Sequence, residues 1–218
     1  DLEAYPRDFE KDSALVRELG GDVLYAPEPE NMYAPDHATW VEVPALANTL
    51  CGLSRPIHFR GVCTVVLKLF MLAQPSLAVF GEKDWQQLAI IKKMVSDLNV
   101  PVEVVGRPIV READGLALSS RNVYLTPEER AQAPQIRKSL EMAAGLAAGG
   151  ERDAARIIEA VRGYLAEHLP TGEEDYISIV DPAVLTKVDR IEDMALCALA
   201  IRLGKARLID NILLKVGE

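Results

Sequence analysis

Apolar residues Val62, Val65, Val66, Leu69 and Phe70 recur at spacings of three and four, which predicts a helix over residues 62–73. A compact apolar run at 77–80 then predicts a core strand. Helical spacing returns over 85–98 and stops at Asn99 and Pro101, and residues 102–105 predict another strand. Ahead of these, Leu2, Phe9, Leu15, Val16 and Leu19 among charges, followed by Gly20-Gly21, predict a helix over 2–19 with a glycine stop. Residues 23–26 predict a buried strand, 27–35 a Pro-rich loop, 39–43 a short alternating strand, 44–50 a short helix opened by proline, and 52–61 a polar turn. Strand and helix thus alternate to about residue 108. That order indicates a parallel sheet with crossover helices, whose ligands sit beyond the carboxyl ends of the strands.

The pattern changes after Arg107-Pro108. Thr126-Pro127-Glu128-Glu129 is a capping box with proline at the first helical position, predicting a helix that runs to Ala147 and stops at Gly149-Gly150. A further helix over 153–168 precedes three strand-like runs at 176–180, 195–203 and 206–214, the last two joined by a Gly204-Lys205 turn that suggests a hairpin. We read two domains, 1–108 with the parallel sheet and 109–218 of the smaller α+β type.

The chain of 218 residues is 49% hydrophobic and 26% charged, enough apolar content for a real core and too much for disorder. The 24 Lys+Arg against 33 Asp+Glu leave a formal net charge of -9, a field that repels nucleic acid, and no basic patch interrupts it. No apolar stretch is long enough to span a bilayer, and no charged, then apolar, leader opens the chain, so the expectation is a cytoplasmic protein without membrane or nucleic-acid partners. Cys51, Cys63 and Cys197 form no C-x-x-C pair and predict neither a disulfide framework nor a zinc site; packed thiols are the simple reading.

Two stretches carry chemistry. Gly81-Glu82-Lys83-Asp84 places a lysine in a tight turn directly after the strand at 77–80, and Asp114 to Asn122 gathers Ser119, Ser120 and Arg121 in a glycine-led loop. A mobile ammonium, a rigid guanidinium fork and two hydroxyls together suit a triphosphate. Each alone has a bland reading: a surface lysine at a helix start, serines that merely turn the chain.

With Arg55-Pro56-Ile57-His58-Phe59-Arg60-Gly61-Val62, Phe80-Gly81-Glu82-Lys83-Asp84-Trp85-Gln86-Gln87, the 114–122 loop and the late run Ala206-Arg207-Leu208-Ile209-Asp210-Asn211, the chain resembles the pantothenate synthetases, in that family's order and across nearly its whole length. The resemblance implies a Rossmann-like, nucleotidyltransferase-type parallel-sheet domain followed by a smaller α+β domain that closes over the ATP site. The family's opening His-containing motif and Gln-bearing strand are not in this sequence, which starts at Asp1, so the first domain is expected to be N-terminally incomplete. Trp85 stands where relatives often carry Tyr or Phe and Leu118 where Met is frequent, both keeping apolar volume.

The implied activity is ATP-dependent condensation of (R)-pantoate with β-alanine to pantothenate, AMP and diphosphate through a pantoyl adenylate, with Mg²⁺ and a homodimer expected. By motif match, Gly81, Glu82, Lys83, Asp84, Val110, Leu118, Ser119, Ser120 and Arg121 bind ATP. Lys83, Ser119, Ser120 and Arg121 serve the reaction, and Gln87 binds pantoate. His58, flanked by Arg55 and Arg60, falls near the cleft, where neighbouring positive charge disfavours its protonation. His37 and His168 read as surface residues. Asp12 and Asp36 could in principle approach Mg²⁺, and neither is assigned as a ligand. Two other readings stand beside the ligase: a nucleotidyltransferase of the same fold, and a catalytically silent unit serving binding or assembly.

Overall fold

The computed structural model describes residues 8–217. Leu2, counted above in the first helix, lies outside them. Residues 1–39 and 40–218 are separate compact units. In the first, Asp8 caps helix α1 (Phe9–Glu18) by accepting from the Lys11 N–H at 3.0 Å. The chain turns out of α1 through Gly20 in the left-handed region. Pro29 then opens the single turn α2 (Pro29–Met32).

The predicted strand at 23–26 is not formed. Val23, Leu24 and Tyr25 are exposed, and among the described residues no strand pairs with them; an apolar run becomes a strand only where a ladder partner exists. The strand predicted at 39–43 is absent too. There the Val41 N–H donates to the Thr64 hydroxyl at 3.0 Å, and Val43 packs in a core as the chain enters α3 (Pro44–Ala47).

The predicted polar turn at 52–61 is largely helical, comprising α4 (Cys51–Ser54) and the first turn of α5 (His58–Ala73). Between α3 and α4, Leu50 takes φ 45°, a costly position for a branched side chain. Gly52 follows because a Cβ there would lie 1.5 Å from the Ala47 carbonyl oxygen.

β1 (Leu77–Gly81) pairs in parallel with β2 (Glu103–Arg107), in register Leu77 with Glu103 through Gly81 with Arg107. Helix α6 (Trp85–Asp97) makes the crossover. Burial alternates along β1, so Leu77 and Val79 are exposed and the strand is covered on one face, where the sequence reading expected a core strand. A core around Phe59, Cys63, Phe70, Ile90, Ile91 and Met94 joins α5 and α6.

The helix expected to run unbroken from Thr126 to Ala147 is two: α7 (Pro127–Gln132), opened by the predicted capping box, and α8 (Gln135–Ala148). Pro134, which has no N–H to continue the ladder, sits at the break. α9 (Ala154–His168) is capped by Asp153. β3 (Gly172–Val180), β4 (Met194–Leu203) and β5 (Ala206–Lys215) form an antiparallel sheet with β4 in the middle. β4 and β5 make the predicted hairpin, whose turn residue Gly204 has φ +56° and would drive a Cβ to 2.2 Å from the Glu129 carboxylate. A second core of Ile136, Leu140, Ile157, Val161, Cys197 and Leu199 packs α8 and α9 on this sheet.

Candidate functional site

Lys83 sits in a 3₁₀ turn, Glu82–Asp84, at the carboxyl end of β1, where sheet topology places ligands. Its ammonium is half-buried, and burial lowers its pKa. Asp84 and Asp210 offset that shift, whereas the positive charge of Arg121 adds to it. Lys83 and Ser119 line one small pocket together with Asp210, Leu116, Ala117 and Leu208. The lysine turn and the glycine-led loop thereby share one wall.

The loop after β2 is shaped by its own polar groups. Leu118 N–H donates to the Val110 carbonyl at 2.9 Å and Glu112 N–H to Leu116 at 2.8 Å, folding residues 110–118 into a narrow ribbon that turns at Gly115, φ +90°. Asn122 holds the base of the ribbon, its amide donating to Glu112 at 2.8 Å and to the Ala117 carbonyl at 3.2 Å. Arg130 on α7 clamps Asp114 and Glu112 at 2.6 and 2.7 Å, keeping both carboxyls below the usual range. Ser119 caps the 3₁₀ turn Ser120–Tyr124 by accepting from the Arg121 N–H at 3.2 Å. Val110 and Leu118 are 67% and 56% exposed, an apolar pair left facing outward beside the phosphate-type groups.

Further cations gather here. His58 feels the charges of Arg55, Arg121 and Arg207, and Arg55 feels Arg121 and Arg207 in turn. Burial first, then Arg55, lowers the His58 pKa to about 4, so the imidazole is neutral near pH 7. Arg207 on β5 pairs with Asp175 at 2.7 Å and reaches the Cys51 sulfur at 3.5 Å, while the Tyr176 hydroxyl lies 3.3 Å from that sulfur. Arg55, His58, Lys83, Arg121 and Arg207 thus lie in one neighbourhood, with the carboxylates of Asp84, Asp175 and Asp210 set among the cations. Cys63 and Cys197 are buried thiols, whereas Cys51 is half-buried. His168 hydrogen-bonds the Tyr164 carbonyl at 3.0 Å on an exposed helix end, and His37 packs edge-on against Tyr33.

Gln87 is half-buried on α6, and its neighbour Gln86 is the amide sealed inside. Gln86 accepts from the Cys51 N–H at 3.0 Å and donates to the Leu46 and Thr49 carbonyls at 2.9 and 2.7 Å, clasping the segment that contains strained Leu50. The sequence by itself points to no role for Gln86, Asp210, Asn211 or Arg207. The family-like run 206–211 was the only signal for the last three, and Gln86 carried none beyond its place in a motif.

Fold and site define an α/β protein with lysine and arginine side chains gathered at the carboxyl end of a parallel strand. The family described as Pantoate-beta-alanine ligase matches residues 1–213, and the chain belongs to it. It is 65% identical over 218 residues to a pantothenate synthetase of Nitratidesulfovibrio vulgaris (strain Miyazaki F), covering 100% of this chain and 77% of the relative. A crystal structure of pantothenate synthetase from Thermus thermophilus superposes with a TM-score of 0.93 at 47% identity, over 97% of this chain and 76% of that one. A pantoate-beta-alanine ligase from Francisella tularensis, complexed with beta-gamma ATP and beta-alanine, gives 0.75 at 30% identity over 98% and 72%.

Proposed function

We propose that this protein condenses (R)-pantoate with β-alanine at the expense of ATP, as a ligase of pantothenate biosynthesis. The pantoate carboxylate attacks the α-phosphorus and diphosphate leaves; the β-alanine amine then attacks the acyl carbon of the pantoyl adenylate and AMP leaves. No covalent nucleophile of the protein is needed, only alignment and neutralisation of charge on the phosphates.

The observation that carries this reading is the pocket lined by Lys83, at a strand's carboxyl end, together with Ser119 of the glycine-led loop, close enough to Arg121 for its charge to act on the lysine. In our reading Lys83 is a point charge on the phosphates, and Ser119, Ser120 and Arg121 grip the phosphate oxygens. Gly81, Glu82 and Asp84 shape the turn against ATP, Val110 and Leu118 cover the adenine, and Gln87 binds pantoate. Residues 1–108 are the nucleotide- and pantoate-binding part and 109–218 the part that closes over ATP.

Mg²⁺ belongs to this proposal as the nucleotide's own counterion. Among the described residues no three His, Cys, Asp or Glu side chains gather to hold a metal. Cytoplasmic location and a homodimer complete the reading; no helix among the described residues is long and apolar enough to cross a membrane.

Pantoate-dependent exchange of labelled diphosphate into ATP, by the full-length protein, tests the first half-reaction directly. Exchange that appears with pantoate and not with other hydroxy acids is the expected result, and exchange indifferent to pantoate rejects the substrate.

A further inference from the structure

We infer that Asn211 is a positioning residue for Lys83, an inference that rests on the reading of Lys83 as the phosphate-facing cation. The Asn211 side-chain amide donates to two successive carbonyls of the lysine turn, Glu82 at 3.0 Å and Lys83 at 3.1 Å. Both acceptors are carbonyl oxygens, so only the nitrogen end of the amide fits there.

Asn211 is itself held rigidly. It lies 6% exposed in β5, opposite Ala198 on the central strand, and its own N–H donates to the Asp210 carboxylate at 2.8 Å. Asp210, 3% exposed, is fixed by Arg111 through two hydrogen bonds and draws electrostatically on the Lys83 ammonium. Adjacent residues of one strand therefore act on one lysine, Asn211 on its backbone and Asp210 on its charge. A second tie secures the start of α6, where the Trp85 indole N–H donates to the Pro182 carbonyl at 2.8 Å.

The 3₁₀ turn makes no cap of its own. It is three residues long, has no side-chain cap, and precedes a helix whose N-cap Asp84 makes no capping bond. Removing the amide frees the Glu82 and Lys83 carbonyls to rotate, and the lysine Cα moves with its peptide planes. An ammonium that must meet charge developing in a transition state tolerates little such displacement.

The test is diphosphate exchange by the full-length protein carrying Asn211→Ala or Asn211→Asp, alone and with Lys83→Ala. Asn211→Ala is expected to lower kcat at least tenfold with the KM for pantoate within twofold. Asn211→Asp, which sets a carboxylate against two carbonyls, is expected to lower it further. In the Lys83→Ala background Asn211→Ala is expected to cost less than twofold, because the group it places is gone. The same fold-loss in both backgrounds overturns the inference, since lost active protein multiplies equally with and without the lysine; so does kcat within twofold of the parent. If Asn211→Ala does not accumulate folded, Asn211→Ser, which keeps one donor, is measured by the same criterion. A parent protein with no pantoate-dependent exchange instead refutes the ligase reading, and the inference falls with it.

Discussion

Arg111 and Asp210 meet end-on in a two-pronged ion pair, with guanidinium nitrogens 2.7 and 2.9 Å from the two carboxylate oxygens. One residue opens the ribbon at 110–118 and the other lies on β5, so the pair fixes the candidate phosphate loop to the antiparallel sheet. Arg111 also donates to the Gly115 carbonyl at 3.0 Å, which pins the ribbon's tip with the same side chain. Asp210→Ala strands a largely buried guanidinium and is expected to cost about 3–5 kcal/mol of stability, read as a shift of the urea midpoint. A midpoint unchanged from the parent contradicts that account.

Lys83→Ala is expected to reduce pantoate-dependent diphosphate exchange by about 10²–10³-fold, the scale of losing one preorganised electrostatic contact to developing charge. Because burial of the charged ammonium costs free energy in the resting protein, the same change is expected to leave thermal stability equal or slightly higher. An exchange rate within twofold of the parent removes Lys83 from the reaction.

His58 is held neutral by burial and by Arg55, with its pKa lowered to about 4 against 6.5 for the free side chain. As pH falls, the unfolded chain takes up the proton first. Stability linked to this group is therefore complete above pH 6.5 and declines as pH drops through the window from 6.5 to about 4. An NMR titration of the imidazole is expected to find its midpoint near 4, and His58→Gln is expected to flatten the stability slope across that window. A midpoint of about 6 or above, close to the ordinary imidazole value, is the contrary result.

Gln86→Leu removes one accepted and two donated hydrogen bonds at once, leaving the Cys51 N–H and the Leu46 carbonyl without this partner and the Thr49 carbonyl with the Gly52 N–H alone. The expected cost is about 2–4 kcal/mol, since buried polar groups that lose their partners forfeit their solvation as well. Differential scanning calorimetry of the folded variant measures it.

Gly52→Ala has no room for its methyl group beside the Ala47 carbonyl oxygen. The backbone must shift in a segment already carrying Leu50 at positive φ, and a loss of about 2 kcal/mol or more is expected in chemical denaturation.

How far the sequence could be read depended on the range of the interaction involved. Helices α5, α6 and α9, strands β1 and β2, the capping box at Thr126 and the β4–β5 hairpin all rest on spacings or caps within a few residues, and the structure contains each of them. Runs 23–26 and 39–43 carry strand-like composition, but a strand requires a neighbour, and none pairs with them among the described residues. Pro134 inside a convincing helical period divided α7 from α8, a break that its missing N–H explains.

The candidate site divides in the same way. Lys83, Ser119, Ser120 and Arg121 are nominated by the sequence because the chemistry of phosphates asks for those groups in turns and glycine-led loops, and their motifs are contiguous; the structure sets Lys83 and Ser119 on one pocket. What sequence alone determined is thus local: where the chain turns, which stretches are helical, and which side chains suit a triphosphate. Tertiary structure alone decided that Asn211 grips the turn of Lys83 from 128 residues away and that Asp210 pairs with Arg111 across 99. It also made Gln86 the clasp of a strained segment 35 to 40 positions upstream. Hydrogen bonds and ion pairs act over about 3 Å of space whatever the separation along the chain, so only the folded arrangement selects which of many amides and carboxylates is used.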